Sequence, residues 1–345
     1  MIVYDAPVSP DALSSFVREI PARRDLTFMN LFNTVLQDGN TFDWSEVTRR
    51  NRTARFRAFD GSVHVSDRDG GSDARVALPP LSSSLAQGEY ERLQIEFAKT
   101  GGTREQALVR AIYNDGEQLT REVQNRLEQA IGQVLATAKL TIDENGLQSE
   151  ADFGAAEATI VTAATAWTNT ATAPVLDNLI AWRDALTDKG VGAPVAMFGA
   201  RANLRLMLRN KQIIDAAVGS TSGKTRVTAD EFWSLMDSEG LPGRWIDADG
   251  QVDVDGVATR VYPADRIGFL PQDPAELLQV RMGVSATALE MVGSEHSDME
   301  FEDAPGIVGV VDKGAGVPYR QTAYVDAVGM PILIDARQLM SAKVR

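Results

Sequence analysis

The longest sustained hydrophobic rhythm in the chain runs from Thr103 to Ala138. Leu108, Ile112, Leu119, Val123, Leu127, Ile131, Val134 and Ala138 follow one another at steps of three, four or seven. Such steps put them on one face of a 3.6-residue period. The pattern predicts one amphipathic helix, roughly 54 Å long at about 1.5 Å per residue. Gly101-Gly102 precede it, and Thr103 with Gln106 has the spacing of a capping box. The opposite face carries Glu105, Arg110, Glu117, Arg121, Arg126 and Glu128 and is expected to meet water or a polar neighbour. Asn114-Asp115-Gly116 are poor helix formers and mark the expected place of a kink or break. Periodicity alone reads the segment as a long core helix or a coiled-coil strand.

No other stretch is as regular. Residues 1–48 hold short apolar clusters (Leu26, Phe28, Met29, Leu31, Phe32, then Phe42 and Trp44) broken by Pro7, Pro10, Pro21 and Asp38-Gly39. They read as an arm that buries its aromatics on its own body or on a neighbouring subunit. In residues 49–88 an arginine cluster (Arg49, Arg50, Arg52, Arg55, Arg57) leads into Phe56, Phe59, Val63 and Val65, spaced as in a strand. A turn at 67–73 follows, and Arg75 to Leu78 returns. This is a long hairpin with almost no core of its own, marginal in water unless it lies on a partner. Leu93 to Phe97 reads as a strand.

After the long helix, Lys139 to Phe153 predicts a hairpin turning at Glu144-Asn145-Gly146. Residues 155–172 give no clear pattern. A helix at 175–189 closes at Gly190, a buried strand covers 194–198, and helices follow at 199–218 and 228–238. Thr228 and Glu231 make a second capping box. Trp245 to Phe269 is strand-rich, with turns at Asp249-Gly250 and Asp255-Gly256. Strands are expected again at Ala286 to Val292, Ile307 to Val311, Tyr319 to Val328 and Pro331 to Ile334.

Composition narrows the classes. With no cysteine, disulfides, thiolate metal sites and cysteine nucleophiles are excluded. A net charge of −14 argues against general affinity for nucleic acid. It suits a protein that lines a DNA-filled space without adhering to the DNA. There is no run of 18 apolar residues and no signal-like start, so no membrane association is expected.

Candidate chemistry dissolves on inspection. Val218 to Thr225 resembles a phosphate-binding loop, but Val218 stands where the first glycine is needed and a helix precedes it. Asp247, Asp249, Asp253 and Asp255 suggest a calcium loop. Gln251 and Tyr262 would fill its first and last positions, where Asp and Glu are required, so hairpin faces explain the aspartates better. His64 and His296 have no ligand set nearby, and Ser82-Ser83-Ser84 has no base at a recognisable spacing. No catalytic constellation, metal site or cofactor is expected.

The order of parts is informative: arm, unsupported hairpin, long helix, β segment, α+β domain, strands. Together with four stretches it resembles the lambda-like major capsid proteins of tailed phages, which have the Hong Kong 97 fold. The stretches are Leu26 to Phe32 with Phe42-Asp43-Trp44; Val195 to Phe198 with the helix after it; Tyr262 to Leu270; and Thr322 to Met340. The resemblance implies an α+β fold with an N-arm (1–48), an extended E-loop (49–98), a P-domain (99–172 and 284–330, with spine helix 103–138) and an A-domain (173–283 and 331–345). It implies a structural shell subunit and not an enzyme. Such subunits form pentamers and hexamers of an icosahedral shell that encloses double-stranded DNA in the virion and is assembled in the host cytoplasm. A separate scaffold, a portal and a decoration protein would be its partners.

The expected inter-subunit residues are Arg49, Arg50, Arg52, Arg55 and Arg57 against Glu295, Asp298, Glu300 and Asp303 of a neighbour, with Phe28, Phe32 and Trp44 of the arm. Lys99 is the first lysine, so the E-loop offers no amine for the Lys–Asn cross-links of some shells with this fold. An encapsulin-like compartment is the alternative within the fold, and a nucleotide-dependent enzyme using Gly219 to Thr225 the alternative outside it.

Overall fold

The computed structural model describes residues 8–45, 73–88, 104–294, 297–313 and 320–345. In chain order its elements begin with α1 (Pro10–Glu19), β1 (Thr34–Leu36), β2 (Thr41–Ser45), β3 (Asp73–Ala77), β4 (Pro80–Gln87) and α2 (Arg104–Thr137). Then come β5 (Lys139–Glu144), β6 (Leu147–Asp152), β7 (Thr159–Thr162), α3 (Val175–Asp188), β8 (Ala196–Gly199), α4 (Arg201–Met207), α5 (Lys211–Val218) and α6 (Ala229–Ser238). They continue through β9 (Arg244–Asp247), β10 (Gln251–Val254), β11 (Val257–Arg260), β12 (Arg266–Leu270), α7 (Pro274–Leu277), β13 (Leu278–Met282) and α8 (Ala286–Met291). β14 (Val308–Lys313), β15 (Gln321–Leu333) and β16 (Met340–Lys343) close the chain.

The 34-residue helix α2 is the spine, and Ile112, Leu119, Val123, Leu127, Ile131 and Val134 on it are each at most 3% exposed. Against it lies a thin sheet in the order β1-β13-β15-β14, with β4 also paired along β15. The helix runs unbroken through Asn114-Asp115-Gly116, where a kink was expected. A side chain at Gly116 would meet Leu13 Cδ1 at 3.1 Å and Val17 Cγ1 at 3.5 Å, so the glycine is where α1 crosses the spine. α2 ends where Ala138 turns to φ 56° and its carbonyl accepts from Phe153 N–H at 3.0 Å. The β5–β6 hairpin follows, turning on Asn145 (φ 48°) and Gly146 (φ 82°), both in the left-handed region that a tight hairpin requires.

A second sheet, ordered β7-β16-β12-β8-β9, carries α3 to α6 and its own core around Trp167, Trp182, Met197, Phe232 and Phe269. Several contacts join it to the spine, among them Arg266 Nη1 donating to the Ala136 carbonyl at 3.3 Å. The helix backbone at Gly132 approaches the Val261 carbonyl so closely that a Cβ would sit 2.0 Å from the oxygen. Phe198 and Tyr262 stack edge to face at 5.0 Å beside the spine's core.

Four local expectations change. Ala286 to Val292 forms helix α8 in place of a strand, because Ser285 caps it by accepting from Ala288 N–H at 3.1 Å. The helix at 199–218 is two, split at Asn210. That side chain accepts from Ile213 N–H and donates to the Thr170 and Ala173 carbonyls, restarting the helix in a new direction. The two strands expected at 319–334 are one, β15, which continues through Pro331. Finally, β2 pairs with β3, Phe42 opposite Val76, so the first strand at the hairpin's base comes from the stretch read as arm. The strands expected at 56–65 and 93–97 lie outside the described residues.

Candidate functional site

The arm is the first surface for which contacts were expected, and the structure places its described part on its own body. α1 packs between α2 and β14. Ser14 Oγ bridges the N–H and carbonyl of Gly309, each at 3.2 Å, and Arg18 Nε donates to the Ile307 carbonyl at 2.9 Å. Phe16 meets Tyr113 of the spine edge-on at 4.7 Å. Phe28 and Phe32 are 1% and 3% exposed, with Phe28 edge-on to Phe198 at 5.6 Å. Their expected role as inter-subunit contacts is therefore corrected: a side chain already enclosed by its own core has no surface left for a neighbour.

The anchor beneath Phe28 is Glu128. It lies on the face of α2 expected to meet water, yet it is 1% exposed. Its carboxylate accepts the N–H of Phe28 at 3.0 Å and of Met29 at 2.6 Å. These amides open a helical turn closed by Asn30 N–H to the Leu26 carbonyl and Phe32 N–H to the Phe28 carbonyl. Glu128 thus caps a turn 100 residues away in sequence, satisfying donors that the turn itself leaves free. Gln124, one turn earlier, donates to the Ile20 carbonyl at 3.0 Å. Burial pushes the Glu128 carboxyl up to about 6, against the downward pull of the two amides. Gln124 and Glu128, buried and four apart on the spine, hold the arm, and buried Thr120 one turn before them donates to the Gly116 carbonyl of its own helix. The signal in the sequence was this spacing, set inside a helix whose other described polar residues are half-buried or exposed.

The hairpin expected to lie free is supported at its base. β4 pairs along β15 from Gln87 opposite Gln321 to Pro80 opposite Val328. Its side chains alternate between half-buried and exposed, and Gln87 Nε2 donates to Asp115 of the spine at 2.5 Å. Residues 80–85 are therefore not free within one chain. Between β4, the spine and the β5–β6 hairpin runs a groove of about 440 Å³, floored by Val123, Leu127 and Ala130. Glu122, bonded by Ser83, and the Arg126–Glu144 ion pair at 2.8 Å stand at its edge.

The remaining candidates separate. Arg49, Arg50, Arg52, Arg55, Arg57 and Glu295 lie outside the described residues, and of Trp44 only the backbone is described, paired opposite Ala74. Asp298, Glu300 and Asp303 are exposed. The segment they belong to touches α1: Ser297 Oγ donates to Asp11 at 2.6 Å and Asp298 N–H to the same carboxylate at 3.2 Å. Asp303 lies in the field of Arg18, whose guanidinium burial holds below its ordinary range. The loop at Gly219 to Thr225 is exposed and follows α5, and Lys224 pairs with Glu231 of α6. Asp247 and Asp249 pair with Arg201 and Arg260. Among the described residues no three His, Cys, Asp or Glu gather as metal ligands, and no helix is long and apolar enough to cross a membrane.

A family model described as phage major capsid protein E matches residues 9–293. Among solved structures, a prophage protein of E. coli CFT073 designated a capsid protein shares 14% identity with a TM-score of 0.64, covering 98% of this chain and 99% of its own. A phage-related protein of Bordetella bronchiseptica RB50 shares 13% identity with a TM-score of 0.52, covering 96% and 95%. No curated protein matches the sequence.

Proposed function

The chain belongs to the phage major capsid protein E family, and from that premise we infer how its parts serve a shell. It is a major capsid protein of a tailed phage with the Hong Kong 97-like fold, a structural subunit of the virion capsid. The observation that carries this is the family match across 285 residues, from 9 to 293, which spans the spine, β4 and every strand of the second sheet but β16. The physical character of the subunit agrees: among the described residues the long helix is covered by a thin sheet, with the short α1 lying across it.

In the proposed assignment α2 and the β15 sheet form the P-domain and the second sheet with α3 to α6 forms the A-domain. Residues 49–98, which include β3 and β4, are assigned to the E-loop. Subunits gather as pentamers and hexamers, in the host cytoplasm, around a scaffold and a portal. The shell encloses double-stranded DNA without reading its sequence, and the chain performs no catalysis. The cluster Arg49 to Arg57 meets acidic surfaces of a neighbour, of which Asp298, Glu300 and Asp303 are exposed candidates. Without a lysine before Lys99 the E-loop contacts are non-covalent, with room for a decoration protein.

Electron microscopy of the purified protein tests the reading. Closed shells, with capsomers resolved as fives and sixes, are expected. A chain that stays monomeric under all assembly conditions overturns it, and shells loaded with one protein cargo in place of DNA would assign it to an encapsulin-like compartment. Charge reversal of Arg52 and Arg55 should weaken assembly and flatten its salt dependence. Unchanged assembly would remove the arginine contact from the proposal.

A further inference from the structure

The second sheet carries opposite charge at its two edges. Arg201 and Arg205 on α4 and Arg209 just beyond it recur every four residues, and Arg226 comes in beside them from the loop after α5. The four line a cavity of about 250 Å³ that also touches Leu204 and Leu208. Arg201 is matched by Asp247 at the end of β9, Nη1 to Oδ2 2.6 Å. Asp249 accepts the Arg201 N–H at 2.9 Å and pairs with Arg260 at 2.7 Å, while Arg205 reaches it only through its field. Among the described residues no ion pair is formed by Arg205, Arg209 or Arg226, and all three are exposed. In a chain of net charge −14 this cleft is a local surplus of positive charge. Guanidinium forks are suited to carboxylates.

The counterpart is on α3. Asp177, Asp184 and Asp188, with Ala181 among them, fall at i, i+4, i+7 and i+11 on its exposed side. Arg183 reaches Asp184 at 2.8 Å, and no ion pair reaches Asp177 or Asp188 among the described residues. α3 packs beside β7, and Lys189 at its end bonds Thr159 Oγ1, where β7 begins, at 2.8 Å. β7 and β9 are the two edge strands of the five-stranded sheet. Four steps of about 4.8 Å separate them by roughly 19 Å.

A ring of identical copies joined head to tail needs two different, complementary patches on each copy. We infer that the arginine cleft beside β9 in one copy receives the aspartate face of α3 from the next copy, closing the capsomer ring. The inference rests on the shell-subunit reading and names the contact through which that subunit meets its neighbour. Exposed ion pairs contribute little each and are screened by salt, so the contact sets register and encounter rate more than affinity.

The test is in vitro assembly of the full chain, followed by light scattering and electron microscopy at low and high salt. One double variant carries Arg205→Glu with Arg209→Glu, a second carries Asp184→Lys with Asp188→Lys, and a third chain carries all four. The lysines fall in or next to the last turn of α3, where cations are tolerated, and circular dichroism checks each fold. The milder Arg209→Gln and Asp188→Asn serve if a reversal fails to fold. Each double should slow assembly at low salt about tenfold or more, and the four-substitution chain should recover most of the rate. Doubles that assemble at the wild-type rate with the wild-type salt dependence overturn the inference and leave the shell reading standing. So does a four-substitution chain no better than its worse parent. Loss of duplex DNA binding by the arginine double, with assembly unchanged, would give the cleft to phosphate and overturn it too. A wild-type chain that forms no ring or shell removes the shell reading and this contact with it.

Discussion

The spine region and the second sheet use the same kinds of apolar side chain but enclose them differently. The core of the second sheet is drawn almost entirely from residues 161–245, with short returns at 267–269 and 340–344. The core around the spine is collected from the arm, β4, α2, β13 and β15, spread from Val8 to Leu339. The first can largely be assembled from neighbours in sequence. The second depends on a few places where distant backbones touch, and those places are filled by a glycine, a buried carboxylate and a small crossing helix. Local enclosure spreads its stability over many caps and turns, whereas non-local enclosure concentrates it.

The largest effect should come from Gly132→Ala. Its Cβ would face the Val261 carbonyl oxygen at 2.0 Å, backbone against backbone, so the spine and the second sheet must part. A cost of about 3 kcal/mol or more is expected in urea unfolding. Gly116→Ala is the control: the atom it meets is the flexible end of Leu13 at 3.1 Å. Better helix propensity offsets the crowding by about 1 kcal/mol, so little net change is expected. Equal losses at both glycines would break the comparison.

Glu128→Ala comes next. It leaves the Phe28 and Met29 amides without their acceptor while relieving a buried charge, and a net loss of about 2 kcal/mol is expected. Hydrogen exchange should quicken at residues 26–32 and stay unchanged in α3. Acceleration in both regions would show that they do not open separately.

The same carboxyl gives a pH signature. Its pKa in the folded chain is about 6, above the ordinary 4.5, so the folded state holds the proton more tightly than the unfolded one. Its contribution is fully present below about pH 4.5 and is lost as the pH rises through about 6, up to about 2 kcal/mol in all. The difference in urea stability between wild type and Glu128→Gln should follow that window. A difference constant from pH 4 to pH 7 would place the carboxyl in a wetter setting. The smallest effect should be Thr228→Ala in the second region, which removes one half of a capping box and costs about 1 kcal/mol. Its exchange signature should stay within α6, and spread to the spine would contradict the local character of that region.

What could be read from the chain divides along the same line. The spine helix, the β5–β6 and β10–β11 turns, α3 with its closing Gly190 and the Thr228–Glu231 box all rest on contacts within a few residues, and the structure has each of them. The apparent flaw at Asn114 to Gly116 was a packing site, visible only once α1 lay across it. Glu128 sat on a face marked polar, and nothing local could say that the arm would cover it. Phe28 and Phe32 were legible as residues needing burial, with their own body and a neighbouring subunit both open as the place, and the structure encloses them in their own body.

By itself the sequence determined periodicity, turn chemistry, capping and the surplus of negative charge, because each depends on a residue and its near neighbours. It determined the family as well, through the order of its parts. The tertiary structure alone decided which polar residues are buried, which glycines admit another backbone, and which edge of the second sheet carries each charge. At Gly116, Gly132 and Glu128 those outcomes depend on contacts across a hundred residues or more, where closing the chain, not local preference, brings the groups together.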